Sequence, residues 1–289
     1  MKIKFWGTRG SIPVPSKRTI KYGGNTPCLQ VYDDEGNFII VDAGSGIREL
    51  GNNIIKNDGH KTIKILISHT HWDHIQGLPF FMPLYSPKYN VTIYSNHHDG
   101  MSFDDIIATQ WSHKFFPVSK EELKAKIKVK NISSSKTYSF GKLKVDTTSA
   151  HHSPGTLSFK FRLGTKTIVY MTDNEIHYDG KNGKPDYSII AAQNKELVEF
   201  CRNCDYLIHD SMYTLKDYNS KVGWGHSNNV SVAYFAMLAE VKNLVLFHYE
   251  PDYTDNQVDR LLSATKNIFI KEKSRIKCLA SRELLKIEI

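Results

Sequence analysis

Residues 69–74 read His69-Thr70-His71-Trp72-Asp73-His74. In an extended chain, side-chain direction repeats every two residues, so His69 and His71 face the same side and can reach one metal ion. Asp73 and His74 follow as the chain turns into a helix, which lets them face a second ion beside the first. Imidazole nitrogens with carboxylate oxygens form a donor set suited to Zn²⁺, Mn²⁺ or iron. Two neighbouring divalent ions would bridge a water, lower its pKa and stabilise charge on a phosphoryl group under attack. The chemistry to expect is metal-assisted hydrolysis.

The hexapeptide comes directly after Ile63-Lys64-Ile65-Leu66-Ile67, a buried strand by its apolar and β-branched content. A strand end is where a rigid scaffold can aim several side chains at one point. The same signal predicts strands at 3–6, 28–32, 38–41, 91–94, 143–145, 158–161, 167–170, 206–208 and 244–247. Glu35-Gly36-Asn37 predicts a tight hairpin between the second and third of these. Helical spacing predicts helices at 47–55, 102–109, 195–200, 230–240 and 257–268. The order is several strands and then a helix, repeated in two halves, with no Pro-, Gly- or Ser-rich linker between them. That pattern suits one domain over residues 1–289, built of two packed sheets with helices outside.

An HxHxDH loop after a hydrophobic strand resembles the signature of the metallo-β-lactamase superfamily. Val41-Asp42-Ala43-Gly44-Ser45-Gly46 is similar to that family's early Asp-containing turn. His151-His152-Ser153-Pro154-Gly155 stands where a third metal-binding histidine is expected. Tyr170-Met171-Thr172-Asp173 resembles the bridging-aspartate motif, and Leu246-Phe247-His248 the final one. The resemblance covers essentially the whole chain and implies an α+β, four-layer αββα sandwich. It implies two divalent ions, zinc first and manganese second. One would take His69, His71 and His152, with His151 the alternative. The other would take Asp73, His74 and His248, and Asp173 would bridge. The seven ligand types in order argue against a metal-free binding module.

Further matches point to the ribonuclease Z-like phosphodiesterases. They are Phe5-Trp6-Gly7-Thr8-Arg9-Gly10-Ser11-Ile12-Pro13, Tyr22-Gly23-Gly24-Asn25-Thr26, Ile208-His209-Asp210-Ser211-Met212-Tyr213 and Gly223-Trp224-Gly225-His226-Ser227. That group embraces tRNA 3′-processing ribonuclease Z and cyclic phosphodiesterases. By resemblance His226 assists proton transfer, and Asp73 with Asp173 holds the nucleophile. The bland alternative for His226 is a capping-loop histidine bonded to backbone. Ser227 is a good N-cap for the helix near Val230. Glycine-rich loops commonly present backbone N–H groups to anions, so Arg9, Gly10 and Asn25 are candidate substrate contacts. Trp111 and Phe116 lie in an aromatic stretch that could stack a base, pack the core or form a dimer interface. His209, Asp210 and Asp42 are candidates for orienting the ligands. His60, His97, His98, His113 and His177 lack ligand spacing and are expected at the surface.

The chain has 289 residues and a formal charge of +8. A basic balance suits anionic partners, though the lysines are scattered. The 120–130 stretch is densest in them and reads as a solvated helix and strand face. No apolar run approaches the roughly 20 residues of a membrane span, and the N-terminus reads as a strand rather than a leader. A cytoplasmic protein is expected. Cys201 and Cys204 have the spacing of a zinc or redox pair but no second pair beside them, so buried thiols are expected. The activity expected is a binuclear phosphodiesterase acting through a metal-bridged hydroxide on a small anionic nucleotide, a cyclic nucleotide foremost. A tRNA-processing ribonuclease Z is the alternative. Between Asn174 and Asp205 only the short insert 179–185 stands where a long tRNA-clamping arm would be, which argues against tRNA and against a stable nucleic-acid partner. A homodimer is expected from the same family analogy.

Overall fold

The apolar runs of the first half fold into β1 (Lys2–Gly7), β2 (Cys28–Tyr32) and β3 (Phe38–Val41), joined as an antiparallel meander. We describe a computed structural model, which covers residues 1–57, 60–97, 101–177 and 186–289. The β2–β3 turn is closed by Asp33, whose Oδ1 accepts the N–H groups of Glu35 and Asn37, both at 2.9 Å. Gly36 takes the left-handed conformation there (φ +85°). After α1 (Ile47–Asn57), β4 (Thr62–Leu66) enters parallel to β3. Then come the single-turn α2 (Trp72–Ile75), β5 (Asn90–Ser95), α3 (Phe103–Gln110) and β6 (Lys126–Asn131), with the strands again parallel.

The second half repeats this plan. An antiparallel series β7 (Thr137–Phe140), β8 (Leu143–Ser149), β9 (Leu157–Leu163) and β10 (Lys166–Met171) comes first. Helices α4 (Tyr187–Gln193) and α5 (Lys195–Cys201) lead to β11 (Tyr206–Asp210). Next, α6 (Leu215–Tyr218) and α7 (Asn229–Leu238) lead to β12 (Asn243–Phe247), and α8 (Asp255–Lys271) leads to β13 (Lys277–Ala280). Strands β10 to β13 are mutually parallel. The last strand, β14 (Lys286–Glu288), crosses back to pair antiparallel with β1, Ile3 opposite Ile287.

Two seven-stranded mixed sheets result, ordered β14-β1-β2-β3-β4-β5-β6 and β13-β12-β11-β10-β9-β8-β7. Their inner faces meet in a buried layer that includes Ile3, Phe5, Val31, Phe159, Phe161 and Phe247. Outside the first sheet, α1 and α3 bury Ile47, Leu50, Phe103 and Ile107. Outside the second, α5, α7 and α8 bury Leu197, Val232, Phe235, Val258 and Leu261. The architecture is therefore the expected α/β/β/α sandwich, in which each sheet buries both faces. The parallel strands of both sheets end at one edge of it. That shared edge is what lets loops distant in sequence converge.

At the local level one reading holds, two strands are new and one helix cap is corrected. The 120–130 stretch forms a 3₁₀ turn at Lys120–Glu122 and then β6, an edge strand. Lys126, Lys128 and Lys130 alternate outward along it, a pattern that discourages edge pairing. Strands β13 and β14 are too short and too polar to announce themselves. The N-cap of α7 is Asn228, whose side chain accepts from Val230 N and Ser231 N, each at 3.0 Å. Ser227 instead donates from its hydroxyl to Asn174 O at 2.6 Å. All four cysteines are free and buried, Cys201 and Cys204 within the helix-side core. Burial pushes both thiols well above their ordinary range. Among the described residues no helix is long and apolar enough to cross a membrane.

Candidate metal centre

β4 delivers the chain to Ser68 and His69, and α2 begins three residues later, so the ligand-type residues 69–74 occupy one strand-to-helix turn. Asp173 follows β10, His152 lies in the turn between β8 and β9, and His248 follows β12. Their donor atoms form two groups, each with all atoms within 4.8 Å of one another: His69, His71, His152 and Asp173, and then Asp73, His74, Asp173 and His248. Asp173 belongs to both. Its Oδ2 lies 3.4 Å from His69 Nε2 and 3.6 Å from His152 Nε2. Its Oδ1 lies 3.1 Å from His74 Nε2 and 3.2 Å from His248 Nε2. One carboxylate thus faces each group with a different oxygen, the geometry of a bridge.

The donor set fits a pair of divalent cations. Nε2 of His69 and Nε2 of His74 are buried and have no hydrogen-bond partner, a costly condition unless a cation accepts their lone pairs. Burial drives His69 well below the ordinary histidine range, which leaves its ring neutral and able to ligate. Burial alone would raise Asp73 and Asp173, but the surrounding imidazoles hold both well below the usual carboxylate range. His74 is pushed the opposite way. Burial opposes its charge, yet Asp173, Asp73 and Asp42 raise its pKa well above normal. The three carboxylates thus favour positive charge at this point. A divalent ion supplies the same charge.

The outer ends of the rings are also fixed. His74 Nδ1 bonds Asp42 Oδ2 at 2.9 Å, and Asp42 also accepts from Ser68 N (2.8 Å), Ser68 Oγ (3.0 Å) and the Tyr170 hydroxyl (2.7 Å). This buried aspartate sits at φ +60°, as does His248 at +62°, an uncommon conformation for non-glycine residues that concentrates at functional sites. His152 Nδ1 bonds Gly225 O at 2.9 Å, and His152 Nε2 lies 2.9 Å from His71 Nδ1. His151 points elsewhere, with its ring 4.4 Å from that of His177. Of the two, His152 is the one brought to the site.

His226 stands over the centre. Its ring stacks on His248 at 5.1 Å and 16°, with His152 also at 5.1 Å. Its Nδ1 bonds Asp210 Oδ2 at 2.8 Å. Burial would lower its pKa, but Asp210, with Asp173 and Asp73 behind it, raises it to about 9. Asp210 is itself held by the N–H groups of Met212 (2.9 Å) and Asn174 (3.3 Å). His226 is therefore not a capping histidine tied to backbone. His209 faces away, bonded to its neighbour's carbonyl and to Asn174.

The expected substrate contacts do not survive. Arg9 is fully buried, and its guanidinium donates to the carbonyls of Gly23, Glu250 and Tyr253. Gly10 N donates to Tyr249 O and Asn25 N to Glu283 Oε1. Those donors are spent inside the protein, so the loop is no anion cradle. It is a buttress: Ser11 N donates to Asp73 Oδ2 at 2.8 Å, and Thr8 O accepts from His248 N at 3.0 Å. A Cβ on Gly10 would meet the His248 ring at 2.7 Å, so only glycine fits. Trp111 is 2% exposed within the core under α3, with half-buried Phe116 edge-on to it, so neither is placed to stack a base. Of the four tryptophans, Trp72 and Trp224 are exposed, each at 59%. Trp72 flanks His71 and Asp73. It lines an apolar cleft of about 520 Å³ with Ile75, Met101, Ile106 and Phe115. Trp224 lies two residues before His226, with Lys221 Nζ over its ring at 4.1 Å. Position beside a ligand motif was the signal that could have found them. Among the other histidines, His60 packs edge-on against Phe38, while His97, His113 and His177 are exposed. His98 lies outside the described residues.

A family model described as the beta-lactamase superfamily domain matches residues 37–249. The chain is 27% identical to ribonuclease Z of Picrophilus torridus, over 93% of this chain and 91% of the relative. It is 25% identical to ribonuclease Z of Nitrosopumilus maritimus, over the full length of both. Among solved structures it resembles the metallo-beta-lactamase fold protein YhfI from Bacillus subtilis (TM-score 0.71, 17% identity, 100% of this chain and 99% of that one). It also resembles a diphosphatase from the PhnP family (TM-score 0.66, 18% identity, 100% and 97%). A third neighbour is the short form of human tRNase Z (TM-score 0.63, 18% identity, 100% and 99%). These likenesses overturn one expectation. Relatives matched along nearly their whole length are ribonucleases, and a structural neighbour is a tRNase, so a small nucleotide substrate with no nucleic-acid partner does not stand. The insert that argued against tRNA, 179–185, lies outside the described residues.

Proposed function

The chain belongs to the beta-lactamase superfamily, and from that premise we propose that this metal-dependent phosphodiester hydrolase is an endoribonuclease of the ribonuclease Z type, removing the 3′ trailer of precursor tRNA. The observation that carries the reading is the Asp210–His226 pair stacked over the shared-aspartate centre, in a chain that aligns with ribonucleases Z from end to end. The residues that would hold two ions are His69, His71 and His152 on one side, Asp73, His74 and His248 on the other, and Asp173 between. The nitrogen-rich set favours zinc, with manganese the second choice. When bound, the ions supply Lewis acidity to the phosphoryl oxygens and to the attacking water.

The protein's own groups do the rest. Asp173 fixes the separation of the two groups by presenting one oxygen to each. Ser11 N–H holds Asp73 in place. His226, with Nδ1 fixed by Asp210, presents Nε2 as the proton donor to the departing ribose oxygen. Its raised pKa keeps it protonated at neutral pH, as an acid must be. Trp72 and Trp224 offer faces on which bases beside the scissile phosphate can stack.

The test is a precursor tRNA with a 3′ trailer, incubated with metal-reconstituted protein beside a panel of cyclic nucleotides. A single cut releasing the trailer is expected. Turnover of a cyclic nucleotide with the precursor left intact would overturn the reading.

A further inference from the structure

Glu175 lies two residues beyond the shared Asp173, is buried to 4% exposure and belongs to neither ligand group. It receives three donors from the end of α6 and the loop that follows it. Oε1 accepts Gly223 N at 2.8 Å and the Tyr218 hydroxyl, and Oε2 accepts Gly225 N at 2.8 Å. Both glycines lie at positive φ, +84° and +81°. A Cβ on Gly225 would meet His152 Nδ1 at 2.1 Å, so the loop lies hard against that ring. It presses there because Gly225 O bonds His152 Nδ1. The next residue is His226.

The same short segment holds the loop from its other side. Ser227 Oγ donates to Asn174 O at 2.6 Å and accepts from Ile176 N at 2.9 Å. Glu175 N donates to His151 O at 2.9 Å, and His151 N to Asn174 Oδ1 at 2.8 Å. The residues after β10 are thus bonded to the His151–His152 turn and to the 223–227 loop at once.

We propose that Glu175 is a positioning residue that sets the reach of His226 to the leaving oxygen and the tilt of the His152 ring. The inference rests on the acid role given to His226 above. The physical argument is preorganisation. A glycine-flanked loop has many conformations open to it, and a general acid is useful only within hydrogen-bond reach of its oxygen. A buried carboxylate that accepts two backbone N–H groups flanking Trp224, and a hydroxyl, removes that freedom. Carboxamide cannot replace it fully, because one arm of a glutamine would present N–H where N–H already points.

Glu175→Ala, Glu175→Gln and Tyr218→Phe test this in three readouts. Amide hydrogen exchange of the metal-free protein should quicken in segment 219–229 for Glu175→Ala, with the strands unchanged. Hydrolysis of a ribodinucleoside monophosphate, whose leaving group is an alkoxide, should fall about 10- to 100-fold, within the range of general acid catalysis. Hydrolysis of bis-p-nitrophenyl phosphate, whose leaving group needs little protonation, should fall far less, and metal content should stay at the wild-type value. Glu175→Gln should lie between Glu175→Ala and wild type, and Tyr218→Phe should be milder than either. Equal losses on both substrates, or wild-type exchange in 219–229, would overturn the proposal. Failure of the wild-type protein on every ester with an alkoxide leaving group would instead sink the ribonuclease reading, and the exchange measurement would still decide the role of Glu175 in the loop.

Discussion

The two ligand groups share Asp173 but have opposite surroundings. Every member of the group Asp73, His74, Asp173 and His248 is buried, whereas in the other group His71 is exposed and His152 half-buried. The buried group is backed on several sides, by Asp42 behind His74, by Ser11 N on Asp73 and by Thr8 O on the backbone of His248. The open group leans on the 223–226 loop through His152 alone of its histidines. For the two-ion centre proposed above, the difference gives the two positions distinct duties. A closed position retains its ion and organises the fold around it, while an open one leaves room for water and phosphate.

The largest effect should come from removing what the two groups share. Asp173→Ala leaves four buried or half-buried imidazoles and Asp73 without their bridge, so both ions should be lost and activity should drop by about 10³-fold or more. Elemental analysis after reconstitution checks this. Retention of one full equivalent would mean that the groups are more independent than the shared carboxylate implies. The comparison sharpens with single ligands. His71→Ala should weaken one ion and leave thermal stability close to the wild-type value. His248→Ala should lose an ion and also lower Tm, because its ring packs between Gly10, His74 and His226 and a buried cavity would follow. A larger fall in Tm for His71→Ala than for His248→Ala would reverse the assignment. By the same logic, a chelator should remove the ion of the open group first.

His226 spans both groups, and its removal should separate binding from chemistry. His226→Ala should keep both ions yet lose on the order of 10²- to 10³-fold in kcat on RNA. Asp210→Asn gives a finer probe. The proton donor is present below a pKa of about 9 and is lost as pH rises through it. Without the Asp210 charge that pKa falls, so the alkaline limb of the rate profile should move to lower pH with the acid limb unchanged. An unmoved alkaline limb would take the acid role away from His226.

The residues that gather at the proposed centre were legible in sequence because metal binding imposes residue types and strand-end positions that survive without knowledge of packing. His69, His71, Asp73 and His74 follow a strand whose pattern is plain, and the sandwich itself follows from two runs of strands. What could not be read was where polar atoms are spent. Arg9, Gly10 and Asn25 lie in a glycine-rich loop of the anion-binding kind, yet their donors go to carbonyls and a carboxylate from residues more than 200 positions later or to nearby turns. Sequence shows a donor but not its partner. Trp111 and Trp72 illustrate the same limit for apolar groups. Both are tryptophans near metal motifs, and only the placement of α3 over the first sheet decides that one is core and the other surface. Glu175 carried no signal at all, because its three donors are brought together only by the loop it holds.

The smallest effects should arise at the rim, where the open group meets solvent. Trp72 lies between His71 and Asp73 in sequence and Trp224 precedes the glycine whose carbonyl holds His152, and both rings are exposed. Lys221 lies over the Trp224 ring and also 5.8 Å from the Tyr213 ring, which in turn sits 6.2 Å from His226. That chain places an aromatic face and a cation beside the proton donor, a combination suited to a base and its phosphate. Trp72→Ala and Trp224→Ala should therefore raise KM for RNA by roughly 5- to 150-fold, as the loss of about 1–3 kcal/mol of stacking per base requires. Neither should change hydrolysis of bis-p-nitrophenyl phosphate, which has no base to stack, by more than a small factor. Steady-state kinetics on the two substrates decides the matter. A fall in kcat on both, with KM for RNA unmoved, would show that these rings support the metal centre from within and do not touch the substrate.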